Sequence, residues 1–210
     1  MRSALKKARE APSSTKARIL ATAEAVFADK GFAGASTREI AATARVNISS
    51  LHYHWESKET LYFAVFQNIY DRILDLVRRS IPEHIENSKA GRVVIEDAMG
   101  ALFDFFADHP NVPKLLVRRL LENEDGHLDI ERDVLVPAWK VFAGWTEEFG
   151  GRKLKDVDSQ LFMLSIHSVL LLFLLDSRHF TSLLGGSVYQ PDVRQRVRTH
   201  IITLVTKLLA

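Results

Sequence analysis

The residues best suited to bind a partner lie in one short polar run, residues 48–54, with the sequence ISSLHYH. Two serines, two histidines and a tyrosine supply hydroxyl and imidazole groups, which donate and accept hydrogen bonds. Leu51 interrupts the polar run and can anchor a helix from its inner side. A helix that exposes such groups can read base edges in the major groove of DNA. A purely structural helix would more often carry Glu and Lys on that face.

Two caps and a tight turn are predicted to position this run. Residues 36–39 read STRE, an S-x-x-E capping box in which Ser36 accepts from a backbone N–H and Glu39 reaches back. The turn at residues 44–46 follows, and Asn47 is a good N-cap for the next short helix. Two helices separated by a tight turn form a helix-turn-helix, whose second helix enters the major groove. This pattern predicts DNA binding.

Longer helices are predicted on both sides of the motif. Apolar residues at helical spacing predict a helix over residues 14–30, which Gly31 ends because glycine readily takes the left-handed conformation. Ser57 can cap a fourth helix over residues 58–80, which Ile81-Pro82 would end. Residues 14–60, called the head below, are expected to hold three aromatic residues in their core: Phe27, Phe32 and Trp55.

The segment from Phe27 to Phe63 resembles the tetracycline-repressor (TetR/AcrR) family of transcriptional regulators. It has, in order, an aromatic residue, a Gly-aromatic turn, STREIA, a second turn, a short helix with Leu before aromatic residues, and SKETL. Arg45 stands where the family often has glycine, His52 where tyrosine is common, and Trp55 where phenylalanine is usual.

The predicted fold is all-α, because helix-period apolar patterns dominate the sequence. The resemblance implies an N-terminal three-helix bundle with the helix-turn-helix, then a helical ligand-binding and dimerisation domain, with about nine helices in all. Residues 1–13 are predicted to be a flexible basic arm, with Lys6, Lys7 and Arg9 available to a partner. Residues 14–60 would form the DNA-binding domain and residues 61–210 the ligand-binding and dimerisation domain.

Phosphate contacts should supply most of the affinity for DNA, and a few side chains should read the sequence. The expected phosphate contacts are Thr37, Arg38, Tyr53 and Lys58. The candidates for base edges are Ser49, Ser50 and His52, with Ile48 available for a thymine methyl group. Arg45 and His54 complete the predicted DNA-binding residues.

The C-terminal half is predicted to form further helices, including one over residues 129–149 that follows a loop at residues 123–126. The last two helices, over residues 156–176 and 192–209, are unusually apolar. Residues 161–175 are apolar nearly all round, and the last helix carries an apolar stripe: Val193, Val197, Ile201, Leu204, Val205 and Leu208. The resemblance implies a homodimer through these two helices, and burial within the monomer is the alternative.

The resemblance also implies a small-molecule effector, and the aromatic interior favours an apolar or aromatic one. The candidate lining residues are Phe103, Phe106, Leu116, Arg119, Trp139, Phe142, Trp145, Phe162 and His167. Each of these aromatic residues can equally belong to a packed core. His167 is best explained as a buried, hydrogen-bonded histidine or an interface residue.

Composition excludes several other classes of protein. The 210 residues contain no cysteine, which excludes disulfides and thiolate chemistry and suits a reducing cytoplasm. The net charge of +2 conceals a basic N-terminal third: residues 1–65 have ten Lys and Arg against six Asp and Glu. The longest apolar run, residues 161–175, is shorter than the roughly 20 residues of a membrane span. A cytoplasmic protein is expected.

Two other functions compete with a regulator, which the resemblance favours as a repressor. An enzyme is disfavoured, because the sequence has no Gly-rich phosphate loop and no metalloprotease or EF-hand spacing. No cofactor or metal site is predicted, and His127 with Asp125 and Asp129 is read as a polar loop. The remaining alternative is a DNA-binding architectural or protein-interaction module without an effector, which would tolerate most DNA sequences.

Overall fold

The computed structural model describes residues 5, 8, 9, 11–80, 88–122, 129–149, 158–175 and 178–208. These residues contain ten α-helices and no strand, which confirms the predicted all-α class with one helix more than expected. The helices are α1 Thr15–Gly34, α2 Thr37–Thr43, α3 Ile48–Trp55, α4 Lys58–Ser80, α5 Ser88–Asp108, α6 Asn111–Leu121, α7 Val136–Phe149, α8 Ser159–Phe173, α9 Arg178–Leu184 and α10 Pro191–Leu208.

The chain forms two compact units. The first contains Met1–Asp71 and Lys114–Val134, and the second contains Arg72–Pro113 and Leu135–Ala210. Each unit therefore combines two separate stretches of the chain.

An aromatic and aliphatic core holds the first three helices together in the first unit. α1, α2 and α3 pack on one another, and Phe27, Ile40 and Leu51 are fully buried between them. Trp55 is buried as predicted, and Phe32 is half-buried, with its ring centroid 4.9 Å from that of Tyr62. Burying side chains of this size contributes roughly 1.5–3 kcal/mol each. This core sets the angle between α2 and α3.

The predicted break at Gly31 is present. Gly31 has φ +73°, and the chain continues as helix from this kink to Gly34. Ser14 begins α1 as its N-cap, accepting from the Ala17 N–H at 3.2 Å. The positive φ explains glycine at this position, since residues with a Cβ rarely adopt that conformation.

The second unit is built on α5, α7, α8 and α10. α5 packs on α7 and α10, and α8 packs on the same two helices. Ion pairs join α10 to α5: Arg194 contacts Asp104 and Asp108, and Arg198 contacts Asp104 at 3.0 Å. The hydrogen bond from Arg194 holds the pKa of Asp108 below its usual value. The buried apolar residues of these helices include Phe103, Leu170, Leu171 and Ile201.

The helices differ from the predictions in two places. α9 was not foreseen, and Gly185, with φ +76°, follows its last residue. The helix predicted over residues 129–149 begins with a π-helical segment, Glu131–Leu135. The loop predicted at residues 123–126 and the stop at Ile81-Pro82 lie outside the described residues. Within the described part of the chain, no helix is long and apolar enough to cross a membrane.

Candidate nucleic-acid interface

The start of α2 confirms one half of the predicted capping box. The Ser36 hydroxyl accepts from the Glu39 N–H at 3.1 Å. The Glu39 carboxylate pairs with Lys30 of α1 instead of reaching back to the cap, and this hydrogen bond raises the pKa of the Lys30 ammonium. α2 is therefore tied to the end of α1. Of the predicted phosphate contacts here, Arg38 is exposed and Thr37 is half-buried.

The turn between α2 and α3 places a non-glycine residue in the left-handed conformation. Arg45 has φ 55° and is exposed. Two backbone hydrogen bonds close the turn, from the Arg45 N–H to Ala42 at 3.0 Å and from the Val46 N–H to Ala41 at 2.9 Å. A Cβ in this conformation costs roughly 1–2 kcal/mol. Arg45, which stands where the family often has glycine, therefore strains the backbone of the turn.

α3 exposes one polar face over an apolar anchor. Asn47 caps it as predicted, accepting from the Ser50 N–H at 2.6 Å, and Leu51 and Trp55 point into the core. The exposed residues are Ile48, Ser49, His52 and Tyr53, of which Tyr53 is 83% exposed. Ser50 and His54 are half-buried. The structure thus brings four of the six predicted side chains of α3 onto one accessible face.

The two histidines of α3 have different surroundings. The His52 Nδ1 lies 3.1 Å from the carbonyl oxygen of Glu56. The His54 ring lies 5.1 Å from that of Tyr53, and burial, together with the nearby Lys16 charge, lowers its pKa. Both effects favour the neutral form of the His54 ring, whereas the His52 ring contacts the backbone.

Lys58, predicted to contact phosphate, also makes contacts within the protein. Its Nζ donates to the carbonyl oxygens of Phe32 at 2.9 Å and Ala35 at 3.1 Å. The ammonium also lies 4.2 Å from the centroid of the Phe32 ring. An ammonium has three N–H donors, so one is left for a partner outside the protein.

One polar contact of the head was missed by sequence reasoning. Arg118 of α6 donates to the Asp29 carbonyl at 2.9 Å and to Glu122 at 3.2 Å. The Glu122 carboxylate lies against Gly31, in the space that a Cβ at this residue would occupy. No local pattern signals a contact between residues this far apart.

Residues before α1 also pack within the first unit. Leu5 and Ala8 are buried, and Arg9, predicted to be available in a basic arm, pairs with Asp71 at 3.1 Å. Lys6 and Lys7 lie outside the described residues.

The predicted effector-lining residues are divided between the two units. Leu116 and Arg119 belong to the first unit. Leu116 is buried, and the Arg119 guanidinium donates to both carboxylate oxygens of Glu131. Six others belong to the second unit: Phe103, Phe106, Phe162, Trp139, Phe142 and His167. The first three of these are buried, and the rings of Trp139 and His167 are 5.1 Å apart. The side chain of Trp145 lies outside the described residues.

An open groove of about 650 Å³ lies in the second unit, and its lining contains none of these candidates. Its walls are Phe173, Leu184, Gln195, Arg196, Val197, Thr199 and His200. The described residues contain no group of three or more His, Asp or Glu side chains able to hold a metal ion.

The last two long helices retain exposed leucines. Four residues of the predicted stripe, Val193, Val197, Ile201 and Val205, are buried within the second unit itself. The apolar residues left exposed on these helices are Leu161, Leu164 and Leu172 of α8 and Leu204 of α10.

Comparison with known proteins identifies the class of the head. Residues 19–65 match the family model described as bacterial regulatory proteins, tetR family. Over 90 residues the chain is 34% identical to the HTH-type transcriptional activator FasR of Mycolicibacterium smegmatis, covering 43% of this chain and 39% of FasR. Over 65 residues it is 28% identical to IcaR, the negative regulator of the Staphylococcus epidermidis icaADBC biofilm operon, covering 31% of this chain and 35% of IcaR. The chain thus spans less than half the length of these relatives.

A solved structure extends the similarity beyond the head. The crystal structure of a tetR-family regulatory protein from Rhodococcus RHA1 matches with a TM-score of 0.70 at 22% identity, covering 94% of this chain and 98% of that one. The resemblance read from the sequence is confirmed. Residues 19–65 thus match the tetR family of bacterial regulatory proteins, and the chain shares its fold with a solved protein of that family.

Proposed function

We propose that the chain is a sequence-specific transcriptional regulator whose residues 14–60 bind double-stranded DNA. The observation that carries this function is the accessible face of α3, on which Ile48, Ser49, His52 and Tyr53 are all exposed. α3 would lie in the major groove, with Thr37, Arg38, Arg45 and Lys58 toward the phosphates. Ser50 and His54, half-buried on the same helix, are secondary candidates.

Residues 61–210 would form the dimerisation domain. The exposed leucines of α8 and α10 support a homodimer through these two helices, because apolar patches of this kind commonly mark interfaces. A twofold dimer presents two copies of α3 to a pseudo-palindromic operator, with half-sites roughly one DNA turn or a multiple of it apart.

An effector would act through the same C-terminal domain. The buried aromatic side chains of the second unit support a small apolar or aromatic ligand, which would favour the conformation with lower affinity for DNA. We propose a repressor. FasR is described as an activator and IcaR as a negative regulator, so relatives of both signs are similar to this chain. The sign of regulation by this chain would depend on where its operator lies relative to the promoter.

Selection of duplexes from a random DNA pool by the purified protein tests this function. A single enriched near-palindrome, bound by a dimer in sedimentation, is the expected result. Binding without enrichment would overturn it and favour the architectural alternative, since that binding is salt-sensitive and tolerates most sequences. The relatives are regulators of transcription, so an enzyme has no support from similarity.

A further inference from the structure

The contact between His52 and Glu56 fixes which ring nitrogen of His52 carries the proton. A carbonyl oxygen can only accept a hydrogen bond, so the Nδ1 that lies 3.1 Å from the Glu56 oxygen must be the donor. A neutral imidazole has one N–H, and its other nitrogen carries a lone pair. The neutral ring of His52 therefore presents Nε2 as a hydrogen-bond acceptor.

Two hydrogen bonds join His52 to Glu56 and hold the imidazole ring in this orientation. The Glu56 N–H donates to the His52 carbonyl at 2.9 Å, while the His52 ring donates to the Glu56 carbonyl. Glu56 ends α3 with φ 49°, a conformation that turns its carbonyl away from the ordinary helical direction. His52 itself is exposed, so its Nε2 is open to a partner.

The composition of α3 and its flanking residues restricts which DNA groups can be that partner. Residues 46–57 have the sequence VNISSLHYHWES, which contains no Lys or Arg. Guanine presents two acceptors, O6 and N7, in the major groove and is most often read by these cations. An acceptor nitrogen matches instead the exocyclic amino group that adenine (N6) and cytosine (N4) present there. A phosphate oxygen, itself an acceptor, cannot bond to this nitrogen.

We infer that His52 is a specificity-determining residue that accepts, through Nε2, a hydrogen bond from the exocyclic amino group of an adenine or cytosine in each operator half-site. This inference rests on the DNA-binding function proposed above. It assigns His52 to the bases and separates its role from that of the cations around α3, which have only donors to offer.

Selection from a random duplex pool at about pH 8, where imidazole is neutral, tests the inference with the parent protein, two His52 variants and one control variant. His52→Ala should lose the preference for one base at one position of each half-site and keep the others, with affinity for the parental operator lower by about fivefold to tenfold. His52→Arg should move the preference at that position to guanine. His109→Ala is the matched control, because it removes the same kind of contact, from a ring nitrogen to the Phe105 carbonyl at 2.7 Å, at the residue that follows α5.

Base analogues then identify the amino group. Replacing the selected adenine by purine, or the selected cytosine by 2-pyrimidinone, removes only that group. The parent protein should lose about fivefold to tenfold in affinity, and His52→Ala should lose nothing further.

The outcomes distinguish failure of the proposed function from failure of the role assigned to His52. If the parent protein enriches no sequence, the proposed function fails. If it enriches an operator that His52→Ala reads identically, or if the lost preference is for guanine or thymine, the function stands and the assignment of His52 is overturned.

Discussion

The ammonium nitrogen of Lys58 lies 2.9 Å from the carbonyl oxygen of Phe32. Lys58 is the first residue of α4, and Phe32 lies in the short helical segment that follows the kink at Gly31. A second bond to the Ala35 carbonyl fixes the residue just before the cap of α2. A single side chain therefore joins the end of α1, the start of α2 and the start of α4.

Lys58→Ala tests both roles of this residue. We expect the free energy of unfolding to fall by about 1–2 kcal/mol, because two backbone carbonyls lose a charged donor. If the third N–H contacts a phosphate, affinity falls for all DNA sequences and the salt dependence drops by about one ion. Urea unfolding and binding titrations at several salt concentrations measure the two effects.

Lys114→Ala, at an exposed lysine of α6, is the control and should change neither quantity. If the salt dependence of DNA binding were unchanged in Lys58→Ala, the predicted contact between Lys58 and a phosphate would be contradicted. Unchanged stability would contradict the role of Lys58 in holding the turn.

Arg45 offers a way to separate backbone strain from charge. Arg45→Ala removes the cation and keeps a Cβ at φ 55°, whereas Arg45→Gly removes both. We expect Arg45→Gly to be more stable than Arg45→Ala by about 1 kcal/mol, because glycine takes the left-handed conformation without a steric penalty. Urea unfolding measures the difference, and equal stabilities would show that the turn is not strained.

The same two variants also report on DNA. If Arg45 contacts a phosphate, both should lose affinity equally and show a salt slope smaller by about one. A loss confined to Arg45→Gly would point to a displaced α3 and not to a missing cation.

Gly31→Ala should be among the more destabilising changes in the head. The new Cβ would be held at φ +73° and would meet the Glu122 carboxylate, which Arg118 binds in place. The conformational penalty alone is roughly 1–2 kcal/mol, so a total loss of about 2 kcal/mol or more is expected in urea unfolding.

Gly34→Ala is the matched control for that substitution. Gly34 closes the same helix, and the nearest atom to a Cβ there is the Lys30 Cβ at 3.4 Å, an ordinary contact. It should change stability by less than about 1 kcal/mol. Equal effects at the two glycines would contradict the contact between Glu122 and Gly31.

The features that were predictable from the sequence are those set by neighbouring residues. The Ser36 and Asn47 caps and the break at Gly31 each depend on groups within about one helical turn, so their sequence signals suffice. The helix-period apolar patterns predicted the all-α class, and the resemblance to a known family supplied the arrangement of its helices.

The features that escaped prediction depend on contacts across the chain. Arg118 meets the Asp29 carbonyl across 89 residues of sequence, and no pattern in either segment records the other. Glu39 illustrates the same limit, because the charge on Lys30 of another helix draws its carboxylate away from the predicted cap. The stripe on α10 also had two possible partners, and the sequence could not show that α5 and α8 cover most of it.

His167 should make the stability of the protein depend on pH. Burial against Trp139 lowers its pKa to about 4, from 6.5 for an unperturbed histidine. The unfolded chain therefore binds more protons than the folded one between these two values, and stability falls as the pH is lowered through that window. At about pH 5 the free energy of unfolding should be about 2 kcal/mol lower than at about pH 7.5, where the ring is neutral in both the folded and the unfolded state.

His167→Phe and His167→Gln test this prediction as a pair. Neither side chain titrates, so both variants should lose about 2 kcal/mol less than the parent between about pH 7.5 and 5, although they differ in packing and hence in absolute stability. Urea unfolding at one fixed protein concentration gives these differences, because the stability of an oligomer varies with concentration. Carboxylates whose pKa is lowered, such as Asp108, stay ionised over this range and do not add to the effect. If the parent and both variants lost the same stability on acidification, the His167 ring would have to be accessible to water in the folded state.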